Sequence, residues 1–157
     1  MPGVTRPMGD QATQQIVILA SPQACFDVAA QFERYPEWAA SVKEVAVLER
    51  DGAGRGTLVR FRTAAFGRST AYTLRYDYVD APGALRWVEV EGDITSKLDG
   101  AYEFVGRDGG SATEVTYHLE AELPIPIPGF IKRRAAAKIT HTALRELKVR
   151  VEGSGGG

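Results

Sequence analysis

Hydrophobic and polar residues alternate at every second position through much of residues 42–123. Successive side chains of a β-strand point to opposite faces of a sheet, so this alternation predicts strands with one apolar face. Turn-forming residues lie at 51–54, 66–68, 81–83, 92–93 and 107–110 and divide the region into six strands. We therefore expect an antiparallel meander that buries one of its faces.

The same alternation assigns side chains to the two faces of the sheet. The predicted inner face carries Val59, Phe61, Tyr72, Leu74, Tyr76, Tyr78, Leu98, Gly100, Tyr102, Phe104, Val115, Tyr117, Leu119 and Ala121. The predicted outer face carries Arg60, Arg62, Arg75, Lys97, Asp99, Glu103, Thr116, His118 and Glu120. Residues 85–91 are ambiguous, because Trp87 falls on one face and the valines of the same strand on the other.

Helical signals flank this strand region on both sides. Residues 14–19 form a short β-rich run, and Ser21 with Pro22 then predicts a helix start that continues to about Phe32. Proline disfavours helical geometry in the residue before it, so Pro36 interrupts this helix and a second short helix follows. Three prolines make residues 124–129 a stiff connector, and residues 130–152 are predicted as a long helix. Its predicted inner stripe is Ile131, Ala135, Ile139, Ala143 and Leu147.

These elements predict an α+β fold in which a curved antiparallel sheet of about seven strands wraps around the C-terminal helix. A sheet with one apolar face must cover it, and the only long helix available is the last one. Ala135, Ala136 and Ala137 are too small to fill the space inside such a sheet. We therefore expect an internal pocket lined by aromatic residues, which is the usual character of a small-molecule site.

Length and composition fit one domain without a membrane span or a strong charge bias. With 157 residues we expect a flexible N-terminal segment at 1–13, one domain at 14–152 and a flexible Gly/Ser tail at 153–157. The net charge of −1 argues against nucleic acid as a partner. One cysteine, Cys25, and the absence of an apolar leader at the start of the sequence predict a cytoplasmic protein.

Candidate catalytic chemistry is sparse. His118 and His141 are the only histidines, no metal-binding or nucleophile motif is present, and we expect no metal, no cofactor and no assigned catalytic residue. Glu89 and Glu91 share a face with Trp87 and would form an acid–base pair only if that face is inward; we expect it to be exposed. Arg60, Arg62 and Arg75 could polarise a carbonyl, but the alternation points them outward.

The long helix carries an excess of positive charge. It contains two acidic residues, Glu146 and Glu152, and seven Lys and Arg residues, at positions 132, 133, 134, 138, 145, 148 and 150. A solvated helix face explains such a cluster, and the functional alternatives are transient contact with an anionic membrane and attraction of a phosphorylated ligand. The sequence leaves open whether the protein is a monomer or a homodimer.

Several segments resemble the polyketide cyclase/dehydrase group of the START-like (SRPBCC) superfamily. The similar segments are residues 26–29 and 32–38 after the Ser21-Pro22 start, residues 100–104 and 113–117 within the strands, and residues 128–130 before the last helix. The resemblance covers residues 14–152 and implies the helix-grip fold. It is poorly specific for activity, because this superfamily includes lipid carriers, aromatic cyclases, toxins and chaperone activators.

The leading hypothesis is that the protein binds or transports a hydrophobic small molecule, such as a polyketide, a quinone or a lipid. One alternative is a polyketide aromatase/cyclase that catalyses aldol cyclisation and dehydration, and another is a protein-interaction module of the toxin or chaperone-activator type. The predicted ligand-binding residues are Trp38, Phe61, Tyr72, Leu74, Tyr76, Trp87, Tyr102, Phe104, Tyr117, Ile131, Ala135 and Ile139.

Overall fold

The structure, a computed structural model, describes residues 10–65, 67–124 and 126–155. Seven strands and two α-helices make up most of these residues, with a 3₁₀ helix at Phe32–Glu37 and a 3₁₀ turn at Asp108–Gly110. In chain order they are β1 Asp10–Ile18, α1 Pro22–Ala30, β2 Val42–Arg50, β3 Gly56–Ala65, β4 Arg68–Asp77, β5 Ala84–Gly92, β6 Lys97–Arg107, β7 Ala112–Glu122 and α2 Gly129–Gly155.

One antiparallel sheet contains all seven strands, in the order β1-β7-β6-β5-β4-β3-β2. Strands β2 to β7 form the predicted meander, and β1 adds to the free edge of β7 with Asp10 opposite Ala121 and Ile18 opposite Thr113. The turns also lie where the sequence places them, and Gly54 and Gly67 adopt φ angles of 84° and 73° that favour glycine. The predicted α+β architecture of a sheet and a long C-terminal helix is confirmed.

Both predicted chain ends need correction. Strand β1 begins at Asp10 instead of Gln14, so residues 10–13 belong to the sheet and not to a flexible segment. Helix α2 continues to Gly155, so residues 153–155 are helical. The rest of these two predictions, at residues 1–9 and 156–157, lies outside the described residues, as do Phe66 and Ile125.

The two short helices form through the predicted local signals. The Ser21 hydroxyl accepts a hydrogen bond from the Ala24 backbone N–H at 3.1 Å, and Pro22 occupies the first turn of α1. The second helix is a 3₁₀ helix that begins at Phe32 and contains Pro36, whereas the sequence predicted that it starts at the proline. The Tyr35 hydroxyl donates to the carbonyl of Ala29, which fixes this helix against the end of α1.

Helix α2 packs on the sheet through a stripe whose most buried residues share only Leu147 with the predicted one. Its buried residues are Ala136, Thr140, Leu144, Leu147 and Val151, whereas Ile131 and Ile139 are 42% and 41% exposed. Hydrogen bonds tie this helix to β1, because Gln14 Nε2 donates to the Ala137 carbonyl at 2.8 Å and Lys148 Nζ to the Val17 carbonyl at 2.7 Å. The helix therefore lies against the β1 side of the sheet, and a neighbouring stripe faces the remaining concave surface.

The ambiguous strand β5 turns its aromatic residue inward. Leu85 and Trp87 are buried, while Val88 and Val90 are about half exposed. Trp87 lies over Gly100 of the neighbouring strand β6, which has no side chain to block the indole ring. A Cβ atom at position 100 would lie 2.6 Å from Trp87 Cζ2 and 2.5 Å from the His118 carbonyl oxygen.

We predict that Gly100→Ala destabilises the protein by about 1–3 kcal/mol, because the added methyl group forces Trp87 and the β6–β7 ladder apart. Urea unfolding followed by tryptophan fluorescence measures this. Gly52→Ala is the matched control, since a Cβ atom there meets no heavy atom within 4 Å, and we expect it to change the stability by less than about 0.5 kcal/mol. Equal stabilities for the two variants would contradict the packing described for Trp87.

Candidate functional site

A cavity of about 540 Å³ lies between the concave face of the sheet and helix α2. Its volume is within the usual range of about 300–1,000 Å³ for small-molecule sites. Strands β2 to β7, the 3₁₀ helix and α2 all contribute residues to its wall. The lining residues are Tyr35, Trp38, Ala39, Ser41, Val42, Phe61, Thr63, Ala64, Tyr72, Leu74, Tyr76, Trp87, Leu98, Tyr102, Tyr117, Ala135, Lys138, Ile139, Thr142, Ala143 and Glu146.

Aromatic rings in mutual contact form most of the sheet side of this cavity. Trp87 is central, with ring centroids 5.8 Å from Tyr76, 5.5 Å from Tyr102 and 5.6 Å from Tyr117. Phe61 stacks on Tyr72 at 5.5 Å. Contacting rings restrict one another's rotamers, so this wall is preorganised for a flat apolar molecule.

Ten of the twelve predicted ligand-binding residues line the cavity. They are Trp38, Phe61, Tyr72, Leu74, Tyr76, Trp87, Tyr102, Tyr117, Ala135 and Ile139. Phe104 does not, because it packs against Phe26 of α1 at a centroid distance of 6.0 Å. Ile131 does not either, because it lies at the exposed start of α2. Phe104 and Ile131 therefore lie outside the cavity wall, and the assignment of the other ten to ligand binding stays a prediction.

Sequence reasoning missed several lining residues, most of them polar. Thr63 and Leu98 lie on strands whose inner faces the alternation identified, and Leu98 was assigned inward without being chosen for the site. Lys138, Thr142 and Glu146 come from α2, at helical spacing from the predicted Ala135 and Ile139. Tyr35 comes from the 3₁₀ helix, which is too short for a hydrophobic periodicity to show which side chains face the cavity.

Five tyrosine hydroxyls belong to the cavity wall, and they differ in their partners. Tyr35 donates to the Ala29 carbonyl, and Tyr72 shares a hydrogen bond with the Thr63 side chain. The hydroxyls of Tyr76, Tyr102 and Tyr117 form no hydrogen bond with any residue in the described ranges. These three groups are therefore available to the oxygen atoms of a ligand.

Burial keeps these phenols protonated. Desolvation raises the pKa of Tyr35, Tyr76, Tyr102 and Tyr117 well above the ordinary value, and the pKa of Tyr72 is raised for the same reason. A neutral phenol donates a hydrogen bond to a carbonyl or hydroxyl oxygen but cannot act as a base at neutral pH. The tyrosine cluster can orient a ligand without removing a proton from it.

Glu146 is the carboxylate of the cavity wall. Its Oε2 atom accepts a hydrogen bond from the Ala40 backbone N–H at 3.1 Å, which fixes the side chain between α2 and the residues after the 3₁₀ helix. The negative charge of Glu146 also contributes to the raised pKa of Tyr102, after desolvation and the neighbouring tyrosines. The cavity wall therefore contains protonated phenols and one carboxylate.

The acids of β5 do not form the pair considered from the sequence. Glu89 is half-buried, and its carboxylate accepts a hydrogen bond from the Thr95 hydroxyl, whereas Glu91 is exposed. Burial raises the pKa of Glu89, with smaller contributions from the charges of Asp99 and Asp93. The expectation that the face carrying Trp87, Glu89 and Glu91 is exposed is therefore wrong for Trp87, which is buried. Of the two glutamates on this face, only Glu89 is partly buried.

The remaining candidate groups lie on the outer surface. Arg60 and Arg75 are exposed and Arg62 donates to the Ser69 hydroxyl at 3.0 Å, so these arginines point outward as predicted. His118 lies between Thr13 Oγ1 at 3.2 Å and Glu103 Oε1 at 3.0 Å on the same outer face. Within residues 10–65, 67–124 and 126–155, no three His, Cys, Asp or Glu side chains are grouped as metal ligands.

No helix among the described residues combines the length and the apolar character needed to cross a membrane.

Comparison with solved structures shows the same fold over most of this chain. A START superfamily protein from Mycobacterium smegmatis matches with a TM-score of 0.86 and 22% identity, over 92% of this chain and 99% of that one. The ZhuI aromatase/cyclase from Streptomyces sp. R1128 matches with a TM-score of 0.76 and 15% identity, over 90% of this chain and 93% of that one. A STAR-related lipid transfer protein from Xanthomonas axonopodis matches with a TM-score of 0.69 and 15% identity, over 90% of this chain and 85% of that one.

No curated protein sequence matches the chain significantly. A family model does match, over residues 18–148, and its description is "Polyketide cyclase / dehydrase and lipid transport". This range extends from the end of β1 through most of α2 and includes every residue of the cavity wall. The chain belongs to the polyketide cyclase/dehydrase and lipid transport family, with the helix-grip fold of the START-like superfamily.

Proposed function

We propose that the protein binds a hydrophobic small molecule in the cavity between the sheet and α2, as a carrier or sensor of a polyketide, a quinone or a lipid. The observation that carries this proposal is an aromatic cavity of about 540 Å³ with tyrosine hydroxyls that have no protein partner in the described residues. Family membership supports the same class of ligand.

Apolar burial supplies most of the affinity in this proposal. A ligand that buries about 300 Å² of apolar surface gains about 7 kcal/mol at about 25 cal/mol per Å², before the entropic cost of association. The three hydroxyls of Tyr76, Tyr102 and Tyr117 then select among apolar ligands by the position of their oxygen atoms. Trp38 also lines the cavity, and its buried Nε1 has no hydrogen-bond partner within the described part of the chain.

A second candidate function is aldol cyclisation and dehydration of a poly-β-ketone. The observation that favours it is that a carboxylate, Glu146, and the phenol of Tyr102 both line the cavity. In this mechanism the Glu146 carboxylate takes an α-proton while the Tyr102 hydroxyl donates a hydrogen bond to the carbonyl oxygen of the forming enolate. The enolate carbon bonds to a second carbonyl carbon, which closes the ring, and the alkoxide formed there takes the proton held by Glu146. Loss of a neighbouring α-proton and of the new hydroxyl group as water then forms the carbon–carbon double bond.

A protein-interaction module is the weakest of the three hypotheses. That function would be favoured by a solidly packed interior beneath a large exposed apolar patch. The cavity between the sheet and α2 argues against it. A cytoplasmic location, transient membrane contact through α2 and the choice between monomer and homodimer remain predictions from the sequence.

We predict that Ala135→Phe weakens ligand binding by at least about tenfold, because the added ring occupies space that the ligand needs. The measurement is quenching of tryptophan fluorescence during titration with 1,4-naphthoquinone and with 9,10-anthraquinone, since Trp38 and Trp87 both line the cavity. Val149→Phe is the matched control on the same helix, because Val149 is 71% exposed and does not line the cavity.

Equal binding by these two variants would place the ligand outside the cavity. Mass spectrometry of organic extracts from the purified protein gives an independent measurement. The proposal is wrong if wild-type protein neither retains an apolar molecule nor binds quinones or fatty acids.

We predict that Glu146→Gln separates a carrier from a cyclase. In a carrier the change leaves quinone affinity within about threefold, because the amide keeps the volume and an oxygen acceptor for Ala40 N–H. In a cyclase it lowers kcat by about 10²–10⁴-fold, because the base is lost. Product analysis with a synthetic poly-β-ketone thioester measures turnover, and Glu103→Gln on the outer face is the control.

A further inference from the structure

The first residues of α2 expose two large apolar side chains next to each other. Phe130 is 56% exposed and Ile131 is 42% exposed. Pro124, Pro126 and Pro128, which precede them, are exposed as well. Fully exposed apolar residues occur singly on most proteins, whereas an adjacent pair at the start of a helix after a proline-rich connector forms an apolar tip.

This tip continues into the cavity. Ile131, Ala135 and Ile139 follow one another at intervals of four residues, so they lie along one side of α2. Ala135 and Ile139 line the cavity, and Ile139 is also 41% exposed, so it lies at the cavity mouth. The apolar stripe therefore runs without a break from the cavity mouth to the exposed tip.

Cations accompany the stripe on its solvent side. Arg134, Lys138 and Arg145 are exposed, and Lys138 also contributes to the cavity wall. In the ranges that the structure describes, none of the three forms a salt bridge. Residues 123–145 contain five Lys and Arg residues and no Asp or Glu, although the chain has 20 acidic residues in total.

We infer that this surface, composed of Phe130, Ile131, Arg134, Lys138 and Arg145 and called the docking face below, binds the surface of an anionic lipid bilayer. Phe130 and Ile131 enter the headgroup region, and the three cations contact lipid phosphates. An acidic protein would satisfy the cations equally well. The bilayer is favoured because the apolar pair is exposed at the start of α2, after exposed prolines, and can insert into lipid without a complementary protein groove.

The inference goes beyond ligand binding, because it adds a partner and does not require the cavity to be filled. It also has a consequence for a ligand. Lys138 belongs both to the docking face and to the cavity wall, and Ile139 beside it is a partly exposed residue of the same wall. Docking therefore turns the mouth toward the bilayer, and an apolar molecule can pass between the two without crossing bulk water.

Vesicle co-flotation tests the inference with protein that carries no added ligand. We expect wild-type protein to float with vesicles of phosphatidylcholine and phosphatidylglycerol, to float less as salt is added, and to stay behind with phosphatidylcholine alone. The double variant R134Q/K138Q should bind the anionic vesicles about 25-fold more weakly, at about fivefold for each cation removed. F130S should bind them about tenfold more weakly.

Matched controls come from surfaces away from the docking face. Val79→Ser removes an apolar side chain that is 78% exposed, and the double variant R60Q/R75Q removes two exposed cations from the outer face of the sheet. We expect both controls to bind anionic vesicles like wild-type protein. Equal losses in the controls and in the docking-face variants would overturn the inference, as would wild-type flotation with phosphatidylcholine alone.

A second readout distinguishes insertion from simple ion exchange. Tryptophan emission of Phe130→Trp should be quenched by brominated lipids in anionic vesicles, whereas emission of Val79→Trp should not change. Binding of wild-type protein to soluble polyglutamate that survives F130S, together with unchanged emission of Phe130→Trp, would overturn the inference in favour of an acidic protein partner. Quinone binding by the same variants is measured separately, so a failed docking face leaves the ligand proposal intact.

Discussion

The structure depends on where α2 meets the sheet. The helix buries Ala136, Leu144, Leu147 and Val151 against the β1 side and is held there by hydrogen bonds from Gln14 and Lys148 to backbone carbonyls. A helix seated over the middle of the sheet would fill the concave face with its own side chains. Because α2 lies to one side and turns alanines toward the rest of that face, the space above Trp87 and Tyr76 stays open.

The wall of this space combines apolar area with a few directional groups. Rings in contact fix one another, and burial keeps the phenols of Tyr76, Tyr102 and Tyr117 neutral. Such a wall recognises the shape and oxygen positions of a molecule and does not require a charge on it. Glu146 is the exception, and its place in the wall is the reason that carrier and cyclase remain two separate hypotheses.

Alternation and turn residues were sufficient to predict the meander and most of the aromatic wall, because both depend on local chain geometry. The facing of Trp87 was not predictable, since Val88 and Val90 are equally apolar and only Gly100 on the neighbouring strand makes room for the indole. The helical spacing correctly placed Ala135 and Ile139 toward the cavity but wrongly included Ile131, which is exposed. The buried stripe with Ala136, Leu144 and Val151 was not identified, because periodicity does not show which side of a helix meets the sheet. Strand β1 was cut short because its first residues, Gln11 and Thr13, are polar and gain their place from pairing with β7.

The strand order leaves β1 and β2 as the two free edges of the sheet, and α2 with the 3₁₀ helix spans the gap between them. The polar contacts across this gap include Ala40 N–H to Glu146 at 3.1 Å and Arg150 to Glu37 at 2.8 Å, both between surface groups. Separation of the two helices would break side-chain contacts of this kind but no hydrogen bond between strands. The register of the sheet therefore does not depend on the contacts that close this side of the cavity.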